Sequence, residues 1–200
     1  MRIGVLGGSF DPVHRGHLGV AAAVADALGL DRVWFLPAAQ APLRDAVVRA
    51  DGGQRAEMLR RALAEVGDAR FELCEWELAR GGISYAVDTL RALRAGRPGD
   101  DFVWILGADQ WARLGAWREP AALARLAEWA VYARPGYDDA LPEAWRAEFQ
   151  VHRVDPGRAG VWAISSSEVR ARLGRGEDVS EWVPDKVIEY IRENGLYPDH

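Results

Sequence analysis

The sequence predicts an α/β fold: a Rossmann-like open parallel sheet with helices on both faces and a small C-terminal helical segment. Three observations predict it. Short, wholly apolar runs recur along the chain, stretches of helical periodicity separate them, and the connections between the two are short. Continuous apolar runs suit strands covered on both faces. Their alternation with helices gives parallel strands joined by right-handed crossovers.

The first run, Arg2 to Leu6, empties into Gly7-Gly8 and is followed by an alanine-rich helix from about Gly16 to Leu28. Val33 to Leu36 is the second strand, closed by Pro37. The alanine-rich segment Pro37 to Gly53 lacks periodicity and reads as a mobile loop. Met58, Leu59, Ala62 and Leu63 then form one apolar stripe of a helix over about Gln54 to Val66. Phe71 to Cys74 is a third strand, and Ser84 to Leu93 a helix with Val87, Leu90 and Leu93 on one face. Phe102 to Leu106 is the cleanest strand, bounded by Asp100-Asp101 and Gly107. Trp129 to Tyr132 and Val151 to Val154 complete the set. Two helices close the chain, about Ser166 to Leu173 and Pro184 to Asn194, with Pro184 at a first helical position and Gly195 as a stop. Ligands of such sheets sit beyond the carboxyl ends of the strands where strand order reverses. The loops after Leu6, Leu36 and Leu106 are therefore the places to look for a site.

At 200 residues the chain is expected to be one domain, residues 1–200, with the helical segment 165–200 packed on it. A chain of this length buries enough surface to need no disulfide or metal staple. Hydrophobic residues at 49% and charged residues at 28% exclude a disordered or collagen-like chain. A net charge of −5 argues against a nucleic-acid partner. No apolar run approaches the roughly 20 residues that span a bilayer, and the opening residues lack a secretory layout. Cys74 is alone, which points to a reducing, cytoplasmic setting. Lys186 is the sole lysine, so a side-chain cation that holds phosphate is expected to be a guanidinium fork. Of nine tryptophans, Trp34, Trp104 and Trp129 sit in strand runs and read as core, each needing one hydrogen-bond partner.

The first strand leads into Gly7-Gly8-Ser9-Phe10-Asp11-Pro12-Val13-His14-Arg15-Gly16-His17. The glycines let the backbone approach a ligand, and the following helix N-terminus offers N–H groups to phosphate. This is neither the GxxxxGK[ST] phosphate loop nor the GxGxxG fingerprint. His14 and His17, three apart at a helix start, can turn both rings to one ligand, and imidazole suits a phosphoryl oxygen. Zinc is the other chemistry such a pair suggests, but no cysteine, third histidine or placed acid completes a set. Near the far end stands Ile164-Ser165-Ser166-Ser167-Glu168-Val169-Arg170. Ser165 and Glu168 make a capping box. Ser166, Ser167 and Arg170 would converge at the same helix N-terminus as a second anion site. Asp109, after the cleanest strand, reads either as a ligand contact or as the N-cap of a helix through Trp111 and Leu114.

His14-Arg15-Gly16-His17 resembles the (H/T)xGH signature of the nucleotidyltransferase superfamily of adenylyltransferases, and Ile164 to Arg170 resembles its ISSTxxR partner. Further stretches resemble the bacterial nicotinate-nucleotide adenylyltransferases over nearly the whole chain. Leu36-Pro37 with Ala41-Pro42-Leu43-Arg44 is similar to LP…PPHK, Arg55 to Leu59 to RxEML, and Ser84 to Leu90 to SYTxDTL. Ile105 to Asp109 is similar to IxGAD, Arg134 to Tyr137 to an RPG segment, and Val183 to Tyr197 to VPxxVxxYIxxNxLY. Three departures stand out. Leu43 and Arg44 replace histidine and lysine, Ala86 replaces a threonine near the expected pyridine carboxylate, and Ser167 replaces threonine with its hydroxyl kept.

The resemblance implies transfer of the adenylyl group of ATP to nicotinate mononucleotide, giving nicotinate adenine dinucleotide and pyrophosphate in NAD biosynthesis. It implies catalytic roles for His14, His17 and Arg170. It assigns ATP to Gly7, Gly8, Ser9, Phe10, Gly107, Asp109, Ile164, Ser166 and Ser167. It assigns the mononucleotide to Arg44, Tyr85, Ala86, Trp117 and Arg134, with Trp117 stacked on the pyridine where plain helix packing is the alternative. Mg2+ is expected with ATP, and a homo-oligomer is left open. The same chemistry on nicotinamide mononucleotide, or on both acceptors, and an ATP-sensing module without turnover are the competing functions.

Overall fold

A computed structural model of the chain describes residues 1–42, 48–133, 145, 147–155 and 164–198. In chain order its elements are β1 (Arg2–Gly8), α1 (Arg15–Leu28), β2 (Arg32–Pro37), α2 (Gly52–Val66), β3 (Phe71–Leu73), α3 (Trp76–Arg80), α4 (Ala86–Gly96) and β4 (Asp101–Gly107). There follow α5 (Ala108–Trp111), a 3-10 turn (Leu114–Ala116), α6 (Pro120–Leu126), β5 (Glu128–Tyr132), β6 (Val151–Val154), α7 (Ser166–Gly174) and α8 (Asp185–Glu193). The described strands pair in parallel in the order β3-β2-β1-β4-β5-β6. The chain builds outward from β1 to β3, then returns to lay β4 on the other side of β1. Strand order therefore reverses between β1 and β4.

Successive strand side chains alternate between faces, and the core divides accordingly. Val33, Phe35, Val103 and Ile105 point to one face, where they meet Val24 of α1, Leu59 of α2, Val169 of α7 and Ile188 of α8. Ile3, Val5, Trp104 and Trp129 point to the other, where Leu90 of α4, Trp111 of α5 and Leu123 of α6 cover them. The C-terminal segment thus shares the first core: Val179, Val183 and Tyr197 belong to it. Glu65 of α2 accepts from the backbone N–H groups of Asp185 and Lys186 at 3.2 and 2.9 Å, satisfying the start of α8. Lys186 itself is exposed. Among the described residues, no helix is long and apolar enough to cross a membrane.

Several local expectations change. Gly52 and Gly53 belong to α2 and not to a loop. Asp51 accepts from the Gln54 N–H while Gln54 reaches back to the Asp51 N–H, and this reciprocal cap outweighs the poor helix propensity of two glycines. The loop assignment of 37–53 otherwise falls partly on 43–47, outside the described residues. Ser84 lies before α4, because its hydroxyl accepts from Ala39 N at 3.0 Å and its N–H bonds Gln40 O. Pro184 caps α8 from outside the helix. Asp109 is not an N-cap: the helix starts two residues earlier than expected, with Gly107 as the flanking residue. Of the expected capping box only Ser165 acts, since Glu168 is drawn to Arg172 at 2.8 Å. Trp34 finds its partner in Glu72 at 2.9 Å. Trp129 instead sits among the rings of Trp104, Trp111, Trp117 and Phe149, where its N–H finds no hydrogen-bond acceptor among the described residues.

Candidate active site

A cavity of about 730 Å³ opens at the carboxyl ends of the strands, where strand order reverses. All three places singled out from the sequence reach it: Leu6 to Phe10 at the end of β1 and beyond, Ala38 after β2, and Gly107 with Asp109 at the end of β4 and beyond. Its size is that of a small-molecule site.

The loop after β1 is closely packed. A Cβ on Gly7 would lie 3.2 Å from the Trp104 ring, and one on Gly8 would lie 3.2 Å from the ring of Phe10. Phe10 causes the second conflict: it adopts φ 50°, a left-handed conformation that costs a non-glycine residue of order 1–3 kcal/mol. Burial of its ring, edge-on to His17 at 5.0 Å and tilted against Phe35, holds it there. Below the loop, the buried Arg55 donates to Ser9 O at 2.8 Å.

At the start of α1, His14 is buried and its ring stacks on His17 at 3.7 Å, with 26° between planes. The His14 backbone N–H donates to His17 Nδ1 at 3.3 Å. That bond needs Nδ1 unprotonated, so neutral His17 carries its proton on Nε2. His17 lines the cavity; His14 stands behind it.

Asp11, buried in the same loop, is the knot that ties the far end of the chain to the site. Its Oδ1 accepts from Ala50 N at 3.1 Å and the Tyr197 hydroxyl at 2.7 Å; its Oδ2 accepts from Arg49 N at 3.0 Å. Arg170 donates to Asp11 O at 2.6 Å, keeps 3.5 Å from Asp11 Oδ2 and donates through its other terminal nitrogen to Ser167 Oγ at 3.2 Å. Ser166 Oγ donates to Pro12 O at 3.0 Å. Burial, then the Asp11 charge, pushes the Tyr197 phenol far above its ordinary range, so it stays a donor.

The cavity is also walled by Tyr85 and Ala86 at the start of α4 and by Trp117 and Arg118 after the 3-10 turn. Trp117 also packs edge-on to Trp129 at 6.2 Å, so both of its expected contacts are compatible. Glu77 of α3 also lines it, 3% exposed, accepting from Thr89 Oγ1 at 2.5 Å. Burial pushes its carboxyl above the ordinary carboxylate range, against hydrogen bonds from Thr89 and Ser84 and the charge of Arg80.

Of the residues expected at the site, Gly7, Gly8, Ser9, Phe10, His17, Tyr85, Ala86, Gly107, Asp109, Trp117 and Ser166 line the cavity. Arg170 and Ser167 are joined to its first loop through Asp11, and Ile164 packs in the core. Arg44 and Arg134 lie outside the described residues. Sequence reasoning missed Glu77, Arg113, Arg118 and Tyr132 on the cavity wall. The Arg80-Gly81 junction is a helix-stop signal that would have revealed α3 and, with it, Glu77. Burial raises the Cys74 thiol above its ordinary value, which makes it a poor nucleophile. Among the described residues no group of three His, Cys, Asp or Glu side chains forms a metal cage.

Residues 5–172 match the cytidylyltransferase-like family. The "Probable nicotinate-nucleotide adenylyltransferase" of Opitutus terrae is 42% identical over 200 residues, 98% of each chain. The protein of the same name from Thermus thermophilus is 43% identical over 197 residues, covering 98% of this chain and 100% of its own. Among solved structures, Plasmodium falciparum nicotinic acid mononucleotide adenylyltransferase complexed with NaAD shares the fold, with a TM-score of 0.81 at 20% identity over 98% of this chain and 97% of that one.

Proposed function

The chain belongs to the cytidylyltransferase-like family and, within it, to the nicotinate-nucleotide adenylyltransferases, and from that membership we propose how the cavity works. The enzyme transfers the adenylyl group of ATP to nicotinate mononucleotide in NAD biosynthesis, releasing pyrophosphate. The acceptor's phosphate oxygen attacks the α-phosphorus in line with the departing pyrophosphate. A phosphate oxygen is already a nucleophile, so positioning and charge stabilisation carry the rate.

His17, with Nε2–H as donor, meets the α-phosphate where charge builds, and His14 braces that ring beside the same triphosphate. Arg170, Ser166 and Ser167 hold the pyrophosphate. Gly7, Gly8, Ser9 and Phe10 bring backbone close to the phosphates, and Gly107 and Asp109 take the ribose. Trp117 stacks on the pyridine, Tyr85 and Ala86 offer backbone N–H groups to it, and Arg44 and Arg134 complete the mononucleotide side. The observation that best supports this reading is the joining of two distant segments: Ser166 and Arg170 of α7 hydrogen-bond the backbone of Pro12 and Asp11, just ahead of the histidines.

Nucleotidyltransferases of this kind use a divalent cation, and we take it to be Mg2+. With no three-residue cage among the described residues, the ion fits as part of the nucleotide substrate, held by phosphate oxygens and water. We infer one domain that acts in the cytoplasm on ATP and nicotinate mononucleotide, with no nucleic-acid partner. The test is incubation with ATP, Mg2+ and each mononucleotide, reading product mass and pyrophosphate. Nicotinate adenine dinucleotide with stoichiometric pyrophosphate is expected. ATP binding without either product would replace this reading with the sensing module.

A further inference from the structure

We propose that Arg118 is a specificity-determining residue of this enzyme: its guanidinium pairs with the carboxylate on the acceptor's pyridine ring and sets the preference for the acid over the amide. The proposal rests on the acceptor side of the reading above.

Arg118 follows Trp117 directly, and both line the cavity with Tyr85 and Ala86. The guanidinium lies over the Tyr85 ring, 4.9 Å from its centre, which orients a flat cation against the residue that flanks α4. Among the described residues its ionic contacts are long: 3.5 Å from Nη1 to Asp88 Oδ2 and 3.8 Å from Nε to Glu119 Oε1. They steer the side chain without consuming it. A guanidinium has five N–H donors, and an entering carboxylate accepts two of them in parallel.

The backbone beneath Arg118 is fixed by its neighbours. Glu119 adopts φ 51°, ψ 57°, immediately before Pro120. Strain of this kind persists only where surrounding contacts impose it. Here Arg91 of α4 grips both oxygens of the Glu119 carboxylate, at 3.1 and 2.7 Å. Arg91–Glu119 and Arg118–Asp88 together pin segment 117–119 to α4, so the wall bearing Trp117 and Arg118 keeps its spacing from Tyr85.

The charges around the cavity make the choice of acceptor depend on this group. Among the described residues lining it, Glu77 and Asp109 are acids, so neither supplies a cation to a carboxylate acceptor. Ala86 has no side-chain donor. The other arginine on the wall, Arg113, precedes the 3-10 turn, whereas Arg118 follows Trp117 directly and lies over Tyr85. Arg118 alone among these cations adjoins both Trp117 and Tyr85.

The experiment compares Arg118→Gln and Arg118→Lys with the parent enzyme, measuring kcat/KM for nicotinate and nicotinamide mononucleotides at saturating ATP. Arg118→Gln should lose about tenfold or more with the acid, mainly in KM, and stay within about twofold with the amide. Arg118→Lys keeps the charge but not the fork and should fall between. Equal losses with both acceptors would make Arg118 a structural support of Tyr85 and overturn the proposal, as would no loss with either. A parent enzyme that turns over neither mononucleotide would sink the acceptor reading itself and this proposal with it. That result is separable from the others because it precedes any substitution.

Discussion

The Tyr197 hydroxyl donates to Asp11 Oδ1 at 2.7 Å, across 186 positions of sequence. Asp11 in turn holds the backbone of Arg49 and Ala50 and stands beside Arg170, so one buried carboxylate joins the loop after β1, the approach to α2, α7 and the C-terminal segment. Removing the hydroxyl in Tyr197→Phe deletes a hydrogen bond to a charged group, worth about 1.5–3 kcal/mol. For a chain of this size that lowers the thermal midpoint by roughly 3–12 °C. Calorimetry of the two proteins checks it, and midpoints that coincide would show that the bond contributes nothing net.

His17→Ala should fold normally and lose about 10²- to 10³-fold in kcat, the usual effect of removing one donor to developing charge. Its ring lines the cavity and rests against Phe10 and His14 without bearing a large share of the core. Steady-state kinetics beside a far-ultraviolet circular dichroism spectrum separates lost chemistry from lost fold. Near-parental turnover would exclude His17 from the reaction.

Glu77 makes stability depend on pH. Burial raises its folded-state pKa above the ordinary value of 4.5, so the folded protein keeps a proton that the unfolded chain has released. The unfolded state then binds fewer protons, and this group's contribution to stability falls as pH rises from that value through the folded-state pKa. Glu77→Gln should remove that slope and gain on the parent protein toward the alkaline side. Urea titrations across the window give both curves, and parallel curves would mean that Glu77 is ionised in the folded protein.

Gly107 has a sterically defined place. A Cβ there would collide with Asp109 Oδ1 and lie 3.1 Å from the Tyr132 ring. Gly107→Ala should therefore cost about 1–3 kcal/mol of stability through overpacking. On the proposed ribose role of Asp109, it should also raise the KM for ATP by about tenfold. Gly99→Ala, with nothing within 4 Å of the new Cβ, is the control and should change neither quantity.

Much of this molecule is written locally. The apolar runs mark the strands because each strand is covered on both faces, and the three loops at the cavity follow from strand order alone. His14, His17, Ser166 and Arg170 stand out because their residue types recur in a recognisable spacing. Glu77 does not, because a lone glutamate reads as surface; hydrogen bonds from Thr89, twelve residues away on another helix, and from Ser84 make its burial tolerable. Helix α3, which carries it, spans five residues and is too short to show a period. Arg55 is hidden for the same kind of reason. Its guanidinium looks like one more surface charge until the loop after β1 folds across it and presents Ser9 O.

The scarcity of side-chain amines has a practical side. Lys186, exposed in the first turn of α8, is the sole lysine and has no part in the cavity wall. Lysine-directed acylation, whether by a fluorophore ester or an activated resin, can thus modify only that side chain and the α-amine of Met1, and it leaves every arginine and histidine at the cavity untouched. Neither amine belongs to the cavity wall, so immobilisation through either spares the residues that line it.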